Sequence, residues 1–164
     1  GRSVTMSTCG LVPEIERLKE EDLTITLAVS LHAADDEKRK ALMPVARKYS
    51  IKELIEACRD YYAGNKRRLT FEYSLIRGEN DSDEDADRLS GLLKGLNCHV
   101  NLIPVNPVEG RKYREPIREK ALAFKNKLEK NGINVTIRRE MGRDISASCG
   151  QLRRSFIVNG LPEG

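Results

Sequence analysis

Few residues in this chain are of a type and in a setting to do chemistry. The first is Cys149, in the stretch DISASCGQLRR at residues 144–154. Ser148 and Gly150 leave its thiol uncrowded, and Arg143 and Arg153 lie close in sequence. A nearby guanidinium lowers a thiol's pKa and favours covalent chemistry at sulphur. A thiol in a small-residue turn is also compatible with an inert, packed role. The second group is made of scattered polar residues: Ser7 in MSTCG, Ser30 and His32 in AVSLHAADD, and Asn106 in NLIPVNPVEG. Hydroxyls, an imidazole and an amide are the groups that orient a polar small molecule. Each has a plainer role too. Serines cap strand ends and turns, a lone histidine is commonly a satisfied structural residue, and Asn before Pro107 is a turn former.

The elements that must position these residues come from the apolar pattern. Runs rich in β-branched residues occur at 4–7, 23–31, 69–76, 99–105 and 134–139. Near-continuous apolar strands predict a parallel sheet buried on both faces. Helical patterns lie between them. Ser50 and Glu53 form a capping box ahead of Ile51, Leu54, Ile55 and Cys58; Ser82 and Asp85 form a weaker one ahead of Leu89, Leu92, Leu93 and Leu96. Pro116 suits the first turn of a helix carrying Ile117, Ala121, Phe124 and Leu128, ended by Gly132. A shorter helix over about 36–43 is stopped by Pro44. The sum is βαβαβαβαβ: an α/β fold with five parallel strands, either an open sheet or part of a barrel. In such folds ligands sit at the carboxyl ends of strands, which is where Ser7, Ser30, His32 and Asn106 fall, with Cys149 beyond the last strand.

Composition sets the bounds. The chain has 164 residues, enough for one domain with a real core. Its net charge of +4, from 29 Lys and Arg against 25 Asp and Glu, permits an RNA partner without demanding one. No apolar run approaches the roughly 20 residues that span a bilayer. The four cysteines, Cys9, Cys58, Cys98 and Cys149, have long irregular spacings with no zinc or iron–sulphur motif. Free thiols in a cytoplasmic protein are the expectation, with Cys58 and Cys98 structural. The abrupt start, almost directly in a strand, suggests a piece of something longer.

Four ordered motifs, VTMSTCGLVPEIERL, AVSLHAADDEKRKALMP, NLIPVNPVEG and GRDISASCGQLR, resemble the radical S-adenosylmethionine RNA methyltransferases. The group most resembled methylates carbon 2 of an adenosine in 23S ribosomal RNA and in transfer RNAs. The resemblance runs from Arg2 to about Arg154. It implies the carboxyl-terminal portion of a partial (βα) barrel of radical SAM type, with residues 1–164 as one domain. It implies that Ser7, Ser30, Leu31, His32 and Asn106 bind S-adenosylmethionine. It implies that Cys149 is methylated and then attaches to the adenine. The family's C-x-x-x-C-x-x-C ligands to a 4Fe-4S cluster, its GE cofactor motif and its RNA-binding region have no counterpart here. The full-length protein is therefore expected to supply the cluster and to act on 23S rRNA and tRNA as a monomer with a reductant protein, and this piece is expected to be inactive alone. Methylation at carbon 8 by a sister group, a non-catalytic RNA-binding α/β domain, and a metabolic barrel taking a phosphate substrate are the rival readings. The small aromatic content, five Tyr, three Phe and no Trp, disfavours a base-stacking module.

Overall fold

A computed structural model describes residues 4–21, 25–105 and 113–138. Five strands, β1 (Val4–Thr8), β2 (Ile25–Ser30), β3 (Leu69–Leu75), β4 (Cys98–Pro104) and β5 (Asn134–Ile137), form one sheet in the order β1-β2-β3-β4-β5. All four pairings are parallel. The connections carry α1 (Val12–Glu20), α2 (Asp36–Leu42), a short 3-10 turn at Pro44–Arg47, α3 (Ile51–Asn65), α4 (Asp83–Leu93) and α5 (Arg118–Lys130). Strands added one after another by crossovers of constant hand keep every helix on the same side, as in a barrel wall.

The core shows this directly. Leu27, Val29 and Leu31, then Leu69, Phe71, Tyr73 and Leu75, then Cys98, Val100 and Leu102 point to one face. There they pack against Val12 and Ile15 of α1, Leu54 and Cys58 of α3, Leu89 and Leu93 of α4, and Phe124 and Leu128 of α5. Tyr73 and Phe124 stack with centroids 5.3 Å apart. Tyr61 is buried with its hydroxyl donating to the Ile25 carbonyl at 3.0 Å, so its polar end is satisfied.

The alternate residues face the other way, and most of them are polar, with Ala28 and Ile103 the apolar exceptions. On this second face, among the described residues, Ala28 and Ser74 are buried and Ser30, Thr70, Glu72 and Asn101 are half-buried. Leu-Thr-Phe-Glu-Tyr-Ser-Leu in β3 alternates with period two, so Thr70, Glu72 and Ser74 leave the apolar face. Register lines them up across strands: Ser30 beside Glu72, Glu72 beside Asn101, Asn101 beside Thr136. Below that rung lies another, Ser7, Ala28, Thr70, His99 and Asn134. The sheet is amphipathic.

Helix starts follow local chemistry. The capping boxes at Ser50 with Glu53 and at Ser82 with Asp85 are both complete. Asp85 is also bonded by Lys38 Nζ at 2.8 Å, tying α2 to the start of α4. Burial pushes the Asp85 carboxyl up, but hydrogen bonds from Lys38 and Ser82 more than offset it, and its pKa is lowered. Helix α5 differs from expectation at its first turn. Ile117 is its N-cap and 49% exposed, so the apolar stripe begins at Ala121.

Candidate functional site at the strand exits

The exits of β1 and β2 adjoin because the strands pair in register, Ser7 opposite Ala28. Ser7 and Ser30 therefore share the face that carries no helix among the described residues, one step apart along neighbouring strands. Ser7 is exposed and Ser30 half-buried. The Leu31 side chain belongs to the core, so only its backbone is at the rim. Asn106 and Cys149 lie outside the described residues.

His32 is held from every side. Its backbone has φ of +60°, a left-handed conformation that costs a non-glycine residue about 1 kcal/mol or more. Its N–H donates to the Glu72 carbonyl at 3.2 Å and its carbonyl accepts from Asn80 Nδ2 at 2.8 Å. Its Nδ1 accepts from the Ser74 N–H at 2.9 Å, which places the ring proton on Nε2. Burial, reinforced by the Arg39 charge, pushes its pKa down to about 3, so the ring is neutral. Nε2 is a buried donor with no partner among the described residues. An unanswered donor at a strand exit is a candidate contact for an acceptor on a ligand.

Asn80 is the hub of this arrangement. Nδ2 also donates to the Ser74 carbonyl at 2.6 Å, Oδ1 accepts from the Ile76 N–H at 2.8 Å, and the Asn80 carbonyl accepts from the Tyr73 hydroxyl at 2.7 Å. Sequence reasoning passed over Asn80 in RGENDSD, where it looks like one more turn residue. It also passed over Arg39, whose guanidinium is buried beneath the β1 and β2 exits. Helix α2 reads DEKRKAL, charged almost throughout, and nothing in that pattern marks one arginine as interior.

The three thiols among the described residues are buried. Burial pushes Cys58 up to about 12 and Cys98 up to about 11, consistent with packing roles. Cys9 is 4% exposed against Leu11, Met43 and Val45, with its pKa raised mainly by burial. Among the described residues no set of three or more His, Cys, Asp or Glu is placed to hold a metal ion. Among them, too, no helix is long and apolar enough to cross a membrane.

Among the described residues, a singly wound parallel sheet with helices packed on one face defines an α/β protein of partial-barrel type, a fold whose ligands generally sit at the carboxyl edge. Comparison with known proteins places it within that class. The Radical SAM superfamily model matches residues 1–89, more than half of the 164. The chain belongs to the radical SAM superfamily. It is 58% identical over 156 residues to a protein named "Probable dual-specificity RNA methyltransferase RlmN" in Lachnospira eligens, covering 95% of this chain and 45% of that protein. Proteins of the same name in Clostridium botulinum Eklund 17B and Clostridium perfringens SM101 are 56% and 53% identical over the same share. The chain thus spans a little under half the length of these relatives. Among solved structures, a radical SAM methyltransferase from Sphaerobacter thermophilus superposes with a TM-score of 0.83 at 52% identity, covering 90% of this chain and 43% of that one. A domain of pyruvate-formate lyase-activating enzyme from Bacteroides vulgatus shares the fold at TM-score 0.61 and 19% identity, covering 82% and 80%.

Proposed function

We propose that this chain is the carboxyl-terminal share of a radical SAM methyltransferase that methylates carbon 2 of an adenosine in 23S rRNA and tRNA. The observation that carries the reading is the cluster of Ser7, Ser30 and His32 at two adjoining strand exits, in a chain 53–58% identical to RNA methyltransferases over 95% of its length. S-adenosylmethionine fits these residues. It brings acceptors and hydroxyls, and the rim offers two serine hydroxyls and the orphan Nε2–H of His32. Leu31 contributes backbone only, and the resemblance adds Asn106 and Cys149, which lie outside the described residues.

The iron–sulphur cluster does not fit the described residues. Their three cysteines are buried, protonated and on separate elements, so its ligands belong to the longer protein. S-adenosylmethionine, when bound, supplies the methyl group. The chain's own part is to orient that cofactor at the strand exits and to present Cys149 as the acceptor that carries the methyl to the base. The same reading makes the whole protein a cytoplasmic monomer served by a reductant protein.

The test is mass spectrometry of nucleosides from RNA treated with the complete enzyme, S-adenosylmethionine and reductant. 2-Methyladenosine supports the reading; 8-methyladenosine moves the protein to the sister activity, and no methylation removes the enzymatic reading. Cys149→Ala is expected to abolish the product and the +14 Da methyl mark on the peptide carrying that cysteine. The 164-residue chain alone is expected to give no methylated adenosine.

A further inference from the structure

Arg39 stands out among the groups that the proposed function does not use. Its relative exposure is 0%, yet it forms no ion pair among the described residues. Its partners are backbone carbonyls. Nε donates to Leu31 at 3.0 Å, and Nη2 donates to Cys9 at 3.0 Å and to Ser30 at 3.1 Å. Cys9 follows β1, Ser30 ends β2 and Leu31 comes directly after it. One planar fork therefore joins the mouths of two strands at the point where Ser7, Ser30 and His32 emerge.

A buried cation without a carboxylate is costly, and a core needing only volume would be filled by an apolar side chain. Carbonyls at strand ends gain from a guanidinium because its donors diverge in a fixed plane and reach several acceptors together. The surroundings are shaped for it. Gly10 has φ of +101°, and a Cβ there would stand 2.7 Å from Arg39 Nη2. The Gly10 N–H is turned back to Thr8 Oγ1 at 3.1 Å, which closes the β1 exit tightly against the guanidinium. Asp35 caps α2 by accepting from the Lys38 N–H, and Asp36 accepts from the Ile51 N–H at 2.8 Å. Both anchor the helix that delivers Arg39. Moving the fork would shift two exits relative to each other, and site geometry tolerates little such movement.

We infer that Arg39, seated by Gly10, is a positioning residue that sets the spacing of the β1 and β2 exits and so the affinity for S-adenosylmethionine. The inference rests on the reading of Ser7, Ser30 and His32 as the cofactor rim. In the complete enzyme, Arg39→Lys keeps the charge and loses the fork. It should raise KM for S-adenosylmethionine about tenfold while kcat at saturating cofactor stays within about threefold. Gly10→Ala, which displaces the guanidinium without removing it, should give the same split by an independent route. Ser30→Ala provides the control on the rim itself. Raised KM in Ser30→Ala with unchanged KM in Arg39→Lys or Gly10→Ala would overturn the clamp alone. Unchanged KM in all three would overturn the rim as well. A lysine enzyme with wild-type KM and only a lower melting temperature would reduce Arg39 to a structural role.

Discussion

Strand β3 presents two environments a single residue apart. Leu69, Phe71, Tyr73 and Leu75 are fully buried under helices, whereas Thr70 and Glu72 on the opposite face keep partial exposure beside Ser30 and Asn101. The first set is chosen by volume and apolar area, the second by hydrogen-bonding capacity. Among the described residues the helices pack on one side of the sheet, and the proposed function gives the other side to a ligand without weakening that core. Stability and recognition are thus separated by side-chain parity within each strand. Substitutions on the two faces should fail in different ways.

The largest effect on stability should come from the helix face. Phe71→Ala leaves a cavity at a fully buried site and should cost about 3–5 kcal/mol in urea denaturation. A loss under 1 kcal/mol would show that the helix layer is loosely packed. Next is acid. His32 is held neutral with a pKa of about 3, against roughly 6.5 when unfolded. Its contribution is therefore fully present above pH 6.5 and is lost as pH falls toward 3, because the unfolded chain takes up a proton that the folded one refuses. Between pH 6.5 and 5 the loss should be about 1.6 kcal/mol. His99, whose pKa is also lowered by partial burial and by Arg68, adds in the same direction. A His32→Gln variant should flatten most of the acid limb, and an unchanged limb would contradict the buried neutral ring. On the helix layer, Ser82→Ala removes one half of a capping box and should cost about 1 kcal/mol. Smallest of all, Asn101→Ala on the open face should change stability by less than about 1 kcal/mol. A loss of 3 kcal/mol there would mean that the polar face is a second core and would collapse the distinction between the two sides.

The sequence made the strands legible because β-branched runs bounded by turn residues have few other readings. The capping boxes were legible because a serine followed three residues later by an acid is a local signal. The polar face was less so. Leu and Val in LTITLAVSL blur the alternation, and a small residue such as Ala28 fits either side of a sheet. β3 and the short β5 spell out period two, and register places Glu72 of β3 between Ser30 and Asn101. Ser30 and His32 could be nominated because strand exits are where α/β folds bind ligands. Arg39 could not, since a charged helix gives no sign of which charge turns inward. Its role needs three carbonyls that are up to 30 positions away in sequence. Ile117 was misplaced for a similar reason: a helix's first turn can lie beyond the edge of the surface it covers.

The most direct test of the account is a crystal structure of the complete enzyme with S-adenosylmethionine bound. The account predicts the cofactor on the helix-free side of the sheet, within hydrogen-bonding distance of Ser30 and of His32 Nε2, with the Arg39 fork still joining the Cys9, Ser30 and Leu31 carbonyls. A cofactor bound among the helices, or one at the strand exits that leaves both Ser30 and His32 untouched, would contradict it.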